Sequence, residues 1–266
     1  MQYQSSTGRP LIKDSFCLFI DILGFSHNIT EADKNGKQQW HLSRIYSAIE
    51  NAQKQIKNKH SKSIWTTKLF SDNLLLACPI DDIGRRDAEG HFGAIIYPIK
   101  QYQLELVLKG YFVRGGWSVG NLFVDNNMIY GQALIDAYDT ESKVAKYACI
   151  AISNTLRQLI TDKYLSYYAN SSDAPFNSDL LVDSDNRLIV NYLTNLMEEQ
   201  QIDFLSLSKH KISIEAKIRK YKKSPMLDKY EYSAQYHNYF CQTFIQNCPK
   251  DCFIDIPYKN LFKRLV

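Results

Sequence analysis

The chain has 266 residues, 45% hydrophobic and 23% charged, which is ordinary for a globular protein and enough to bury a sizeable core. Its formal net charge of +4 is too small to argue for a nucleic-acid surface and is compatible with a small anionic substrate. The opening MQYQSSTGRPLIKDS lacks the order of a signal peptide, no run of about 18 apolar residues offers a membrane span, and six scattered cysteines suit a reducing compartment, so we expect a cytoplasmic protein bound to neither membrane nor nucleic acid.

Residues 15–25 alternate β-branched and aromatic residues with small ones and stop at Gly24, which predicts a buried strand and a tight turn. Inside this stretch, FIDILGFS (19–26) sets Asp21 between Ile20 and Ile22. A carboxylate in an apolar run is costly unless it is paired or holds a metal. Residues 40–58 place Leu42, Ile45, Ile49 and Ile56 at near-helical spacing, with Tyr46 and Ala52 filling the face of an amphipathic helix. In 63–80, two apolar runs flank Ser71-Asp72-Asn73, which predicts a hairpin with Asp72 at or near its tip. A helix follows over 91–109, with Pro98 either kinking it or marking its start. Residues 111–124 read as a strand with a glycine pair, continued past a turn by NNMIYG. Next come a helix over 132–148, a short strand over 149–153 and a helix capped by Asn154.

Residues 170–178 are loop-like, and LLVDSDNRLIVNYL reads as strand, turn, strand. Its Asp183-Ser184-Asp185-Asn186 opens like a calcium loop but lacks the glycine and the closing glutamate, so we read a hairpin turn. A long charged helix is expected over 198–222, with KIRKYKK (217–223) as a solvated face, and a last helix after Pro225. His237, Cys241, Cys248 and Cys252 do not have a standard zinc spacing and read as residues of a C-terminal helix and loop. The order βαββαβ with a central hairpin predicts an α/β (α+β) fold of the ferredoxin-like type, not a doubly wound parallel sheet.

Two carboxylates stand out. If the first strand neighbours the hairpin, Asp21 and Asp72 lie at one end of the sheet. Such a pair repels unless cations neutralise it, and two divalent metals roughly 4 Å apart would do so and serve phosphoryl transfer. The turn Leu23-Gly24-Phe25-Ser26 leads toward a helix, and its amides could cradle phosphates, with Gly24 allowing close approach. Taken singly, each aspartate is an ordinary turn or cap residue.

FIDILGF, then FSDN, RGGWSVG and G-x-A-L-x-x-A-Y-x-x-E, in that order, resemble the class III nucleotidyl cyclases. Within them the chain is most similar to the bacterial pyrimidine cyclases of the Pycsar anti-phage systems, a group that Tyr236-His237-Asn238 also resembles. The resemblance covers residues 15 to about 153. It implies a class III cyclase core over 1–153 and a helical and hairpin extension over 154–266, packed on the core in the same domain. It also implies that Asp21 and Asp72 hold two Mg²⁺ or Mn²⁺ ions with the main-chain carbonyl of Ile22, and that Arg114 contacts the triphosphate. By the same resemblance Gly24, Phe25 and Ser26 form the phosphate turn, and Lys68 and Tyr46 line the base pocket. Purine cyclases carry an Asn and an Arg four apart on the helix after the glycine, and a base-reading Asp before it. This sequence has Ile135, Asp139 and Met128 there, which favours UTP or CTP as the substrate. The implied assembly is a head-to-tail homodimer, and the implied product is cyclic UMP or cyclic CMP acting on a separate effector. The alternatives are a purine cyclase with a rearranged site and an inactive nucleotide-binding domain.

Overall fold

The computed structural model describes residues 2–57, 65–80, 83–198 and 201–266. Strands β1 (Lys13–Ile22), β2 (Thr66–Phe70), β3 (Asn73–Pro79) and β4 (Val113–Val124) lie in the order β4-β1-β3-β2. β1 runs antiparallel to both its neighbours, β3 and β4. Helices α1 (Phe25–Lys34) and α2 (Gln38–Lys57) link β1 to β2, and α3 (Gly84–Asp87) and α4 (Glu89–Leu108) link β3 to β4. This is the βαββαβ ferredoxin-like arrangement that the sequence predicts.

The sheet does not stop at β4. The short β5 (Ile129–Tyr130) pairs with the end of β4, and α5 (Gln132–Asp139) follows it. β6 (Ile150–Ile152) lies parallel to β4, and helix α6 (Asn154–Leu159) comes next in the chain. Beyond β6 the sheet adds β8 (Leu188–Val190), β7 (Leu180–Asp183) and β11 (Phe262–Arg264), each antiparallel to its neighbour. A small hairpin of β9 (Met197–Glu198) and β10 (Gln201–Ile202) precedes α7 (Phe204–Tyr221) and α8 (Leu227–Phe244). Both halves of the chain therefore share one sheet. None of the described helices is long and apolar enough to cross a membrane.

The alternation of side chains along a strand sorts the core into layers. Phe16, Leu18, Ile20 and Ile22 of β1 pack with Ile45, Ala48 and Ala52 of α2 and Phe92, Ile95 and Ile99 of α4. Phe92 stacks on Trp117 of β4, with ring centroids 4.8 Å apart. Cys17 and Phe19 belong to the opposite face, with Ala133 and Ala137 of α5. A third cluster joins Leu104 and Val107 of α4 to Leu207 and Ile214 of α7 and Tyr230, Ala234 and Phe240 of α8.

Several elements differ from expectation. The buried stripe of α2 runs through Ile45, Ala48 and Ala52, while Leu42 and Tyr46 face outward on an adjacent stripe. The side chain of Ile56 lies outside the described part, as do Asn58, Ser63 and Ile64 of the expected helix and hairpin. Helix α4 begins well before Pro98 and runs through it. The helix after Gly131 is shorter than expected and closes in a wide turn over Thr140–Val144. Ser153, not Asn154, caps α6, accepting the Leu156 amide at 3.3 Å. Glu198, Gln201 and Ile202 belong to paired strands where helix was expected, and Glu199 and Gln200 lie outside the described residues.

Candidate active site

Asp21 is the next-to-last residue of β1, and alternation with Ile20 and Ile22 puts it on the α5 face of the sheet. The β2–β3 turn is tight: Phe70 pairs with Asn73, leaving Ser71 and Asp72 as the loop, with Ser71 at φ +56°. Because β3 is the neighbour of β1, the tip lies at the end of the sheet where β1 finishes, and the Asp72 carboxyl lies beside that of Asp21. Asp72 is only 7% exposed. Burial first, and the Asp21 carboxyl second, push the Asp72 carboxyl up to about 7. Two acids so placed either share a proton or require a cation.

Arg114 opens β4 in register with Asp21. Its Nε and Nη2 each donate to Asp21 Oδ2 at 3.3 Å. The same Nε lies 2.5 Å from Glu141 Oε1 in an ion pair, so the two carboxylates share this guanidinium. Glu141 is buried, and its carboxyl is pushed up by that burial, against the opposing pull of Arg114. It reaches Arg114 because Gly116 lets the end of α5 settle onto the sheet. A Cβ at Gly116 would stand 2.0 Å from the Ala137 carbonyl oxygen and 2.6 Å from the Glu141 amide nitrogen. Glu141 closes the G-x-A-L-x-x-A-Y-x-x-E pattern, so its position was visible in the sequence while its ion pair was not.

Gly24 takes φ +75°, a left-handed conformation that costs other residues about 1–2 kcal/mol, and opens α1. No side chain among the described residues caps this helix or accepts from the amides of its first turn, which include Phe25 and Ser26. Phe25 leans on the core and Ser26 is exposed. Ile22 buries its side chain in the core and pairs with Val113.

The first turn of α8 covers this corner. Met226 Cε lies 3.6 Å from where a Gly24 Cβ would be, and Tyr230 packs edge-on against Phe112 at 5.2 Å. In the same helical turn, Lys229 is close enough to feel the charges of Arg114 and Asp21. Its ammonium is pushed down by burial and then by Arg114, with Asp21 opposing. No spacing rule links Lys229 to the β1–β4 motifs, so only the folded chain reveals it.

The remaining sequence candidates go elsewhere. Lys68 donates to Asn126 Oδ1 on the β4–β5 turn at 3.2 Å, and Tyr46 is 65% exposed on α2. No hydrogen bond, ion pair or ring contact joins either to the aspartates. Met128 and Ile135 are exposed, and Asp139 pairs with Lys143 at 2.8 Å. Tyr236 donates to Asn191 Oδ1 at 2.7 Å, and Asn238 clamps both main-chain groups of Ile254. His237 Nδ1 meets His210 Nδ1 at 2.9 Å, and its Nε2 meets the Cys252 carbonyl at 2.9 Å. Asp183 is held by Arg187 and Tyr232.

Among the described residues no group of three or more His, Cys, Asp or Glu side chains converges on one metal position. A divalent cation at Asp21 and Asp72 would therefore complete its shell with main-chain carbonyl, water or phosphate oxygen. That donor set suits Mg²⁺ or Mn²⁺.

No family profile matches the sequence, and no curated protein matches it. Similar solved structures include the monomeric guanylyl cyclase domain of the RhoGC fusion protein from the aquatic fungus Blastocladiella emersonii. It is 12% identical, with 67% of this chain and 94% of that chain covered and a TM-score of 0.45. A dimeric form of that domain is 15% identical, covering 57% and 85%, with a TM-score of 0.41. The adenylate/guanylate cyclase/hydrolase from Silicibacter pomeroyi is 16% identical, covering 67% and 95%, with a TM-score of 0.36.

Proposed function

We propose that the chain is a nucleotidyl cyclase that converts a pyrimidine nucleoside triphosphate, UTP or CTP, to the 3′,5′-cyclic nucleotide and pyrophosphate. The observation that carries this reading is the meeting of Asp21 and Asp72 at one end of the sheet. Two divalent ions, when bound, would supply a more acidic ribose 3′-hydroxyl and neutral surroundings for the leaving pyrophosphate. The chain does the rest. Asp21, Asp72 and the carbonyl of Ile22 hold the cations, and the amides of Phe25 and Ser26 beside Gly24 receive phosphate oxygens. Arg114 loses its hold on Asp21 when that carboxylate serves a cation, and Glu141 keeps the guanidinium in place to bind the triphosphate. Lys229 adds positive charge that Ile135 and Asp139 do not provide.

Lys68 and Tyr46 stay away from the aspartates of their own chain, which suits base recognition across a head-to-tail homodimer. Leu69 and Phe70 on the hairpin, Met128 and Tyr130 beyond β4, and Ile135 and Tyr138 on α5 are exposed apolar side chains available to such an interface. The motif resemblance to the Pycsar cyclases extends the reading to a cytoplasmic anti-phage role in which the cyclic nucleotide activates a separate effector.

The test is turnover of ATP, GTP, CTP and UTP, each alone with Mn²⁺, with products resolved by mass. A single cyclic pyrimidine is the expected result. A cyclic purine would make the chain a purine cyclase, and no product from any of the four would leave a binding domain.

A further inference from the structure

Five cations surround one cavity beside α1. It measures about 350 Å³ and is lined by α1, the start of α2, the α4–β4 connection and α7. Lys37, Arg44, Lys109, Lys217 and Lys220 bring positive charge to it, and among the described lining residues Glu31 alone brings negative charge. That excess of four equals the formal net charge of the entire chain. Glu31 is already taken by Lys220 at 2.6 Å. Lys217, from the KIRKYKK stretch that the sequence assigned to a solvated face, turns inward instead. Its ammonium lies 5.8 Å from the centre of the Tyr230 ring and has no carboxylate within ion-pair distance among the described residues. Burial, and then Lys220, push it down to about 8, and His41 in the same wall is pushed down by burial and by Arg44. Cations gathered and partly stripped of water are costly unless an anion offsets them.

One wall is aromatic. The Arg44 guanidinium lies 4.6 Å from the centre of the Trp40 ring, and Trp40 is 58% exposed. An adjoining cavity of about 290 Å³ shares Trp40, Arg44, Lys109 and Tyr111 and adds Ser43 and Ser47. A nucleic-acid surface would spread its charge along a stripe. Here the charge is gathered around a pocket of small-molecule size.

We propose that this cavity binds a ligand with two or more linked phosphates, and that the shelf at Trp40 accepts a flat ring attached to them. Asp21, Asp72, Arg114 and Lys229 are not among its lining residues, and the proposal does not depend on the cyclase reading.

Inorganic tripolyphosphate is the first probe, titrated by calorimetry in EDTA so that the carboxylate pair has no metal with which to hold phosphate. A single saturable binding event is expected. Arg44→Gln with Lys109→Gln, both at exposed positions, should weaken it about tenfold or more, the loss of two charge-assisted contacts. Circular dichroism checks that this variant is folded, and Arg114→Gln should leave binding unchanged. A nucleoside triphosphate that binds more tightly, with the gain lost in Trp40→Ala, would identify the ligand as a nucleotide. Equal binding would identify an inorganic polyphosphate. No saturable binding at millimolar probe, full binding by the double variant, or loss of binding in Arg114→Gln would each overturn the proposal.

Discussion

An acid that gains a neighbour of its own sign holds its proton more tightly. Folding raises the Asp72 carboxyl from its usual 3.8 to about 7, so between those values the native chain binds a proton that the unfolded chain has released. This contribution to stability is full below the lower value and is lost as pH rises through the upper one. In EDTA, Asp72→Asn should therefore melt above the wild type at about pH 8, and the gap should close near pH 4. Adding Mg²⁺ or Mn²⁺ at the higher pH should raise the wild-type melting temperature and leave Asp21→Asn and Asp72→Asn unmoved. In the turnover assay both variants should lose at least about a hundredfold in rate while staying folded. The buried His210–His237 pair acts with the opposite sign. Burial pushes His237 down to about 4 and His210 well below the usual 6.5, so the stability present above the unfolded value is lost as pH falls toward the folded one. Calorimetric unfolding in buffers of different ionisation enthalpy should show proton uptake across that acid window.

At the scale of the element, the candidate site depends on how closely α5 approaches β4. Gly116→Ala should destabilise the chain by about 2 kcal/mol or more, because the atoms it would strike are backbone. It should also displace Glu141 from Arg114, so the variant that remains folded should show a raised KM for the triphosphate. The strands were legible in the sequence because each carries its own period: β1 alternates between two apolar environments, and the Ser-Asp-Asn hairpin is local chemistry. The helices were legible in type but less so in face and end. Leu42 and Ile45 belong to neighbouring stripes of one helix, and only the position of α4 decides which stripe is buried. The early end of α5 depends on contact with β4, which local propensity does not record.

For the molecule as a whole, residues after 153 are bound into the first half by more than adjacency. β8 pairs with β6, α8 covers Gly24, and Tyr230 packs on Phe112. A chain ending at residue 153 would expose Leu23, Leu104, Val107 and Phe112 and leave β6 as an open edge. Such a chain should fail to reach a protease-resistant state, whereas the full chain should resist limited proteolysis. Resistance in the truncated chain would make the first half an independent domain.

The sequence by itself determined the order of strands and helices and put Asp21 near the end of one strand and Asp72 on a hairpin turn. Both follow from short-range periodicity and local turn chemistry, which act within a few residues of the chain, whereas the shared end of the sheet needed the pairing of β1 with β3. Only the tertiary structure decided that Glu141 backs Arg114, that Lys229 reaches the same corner, and that cations from both halves of the chain line one cavity. Those side chains are brought together by packing between elements distant in sequence, and charge placement at that range has no period to read.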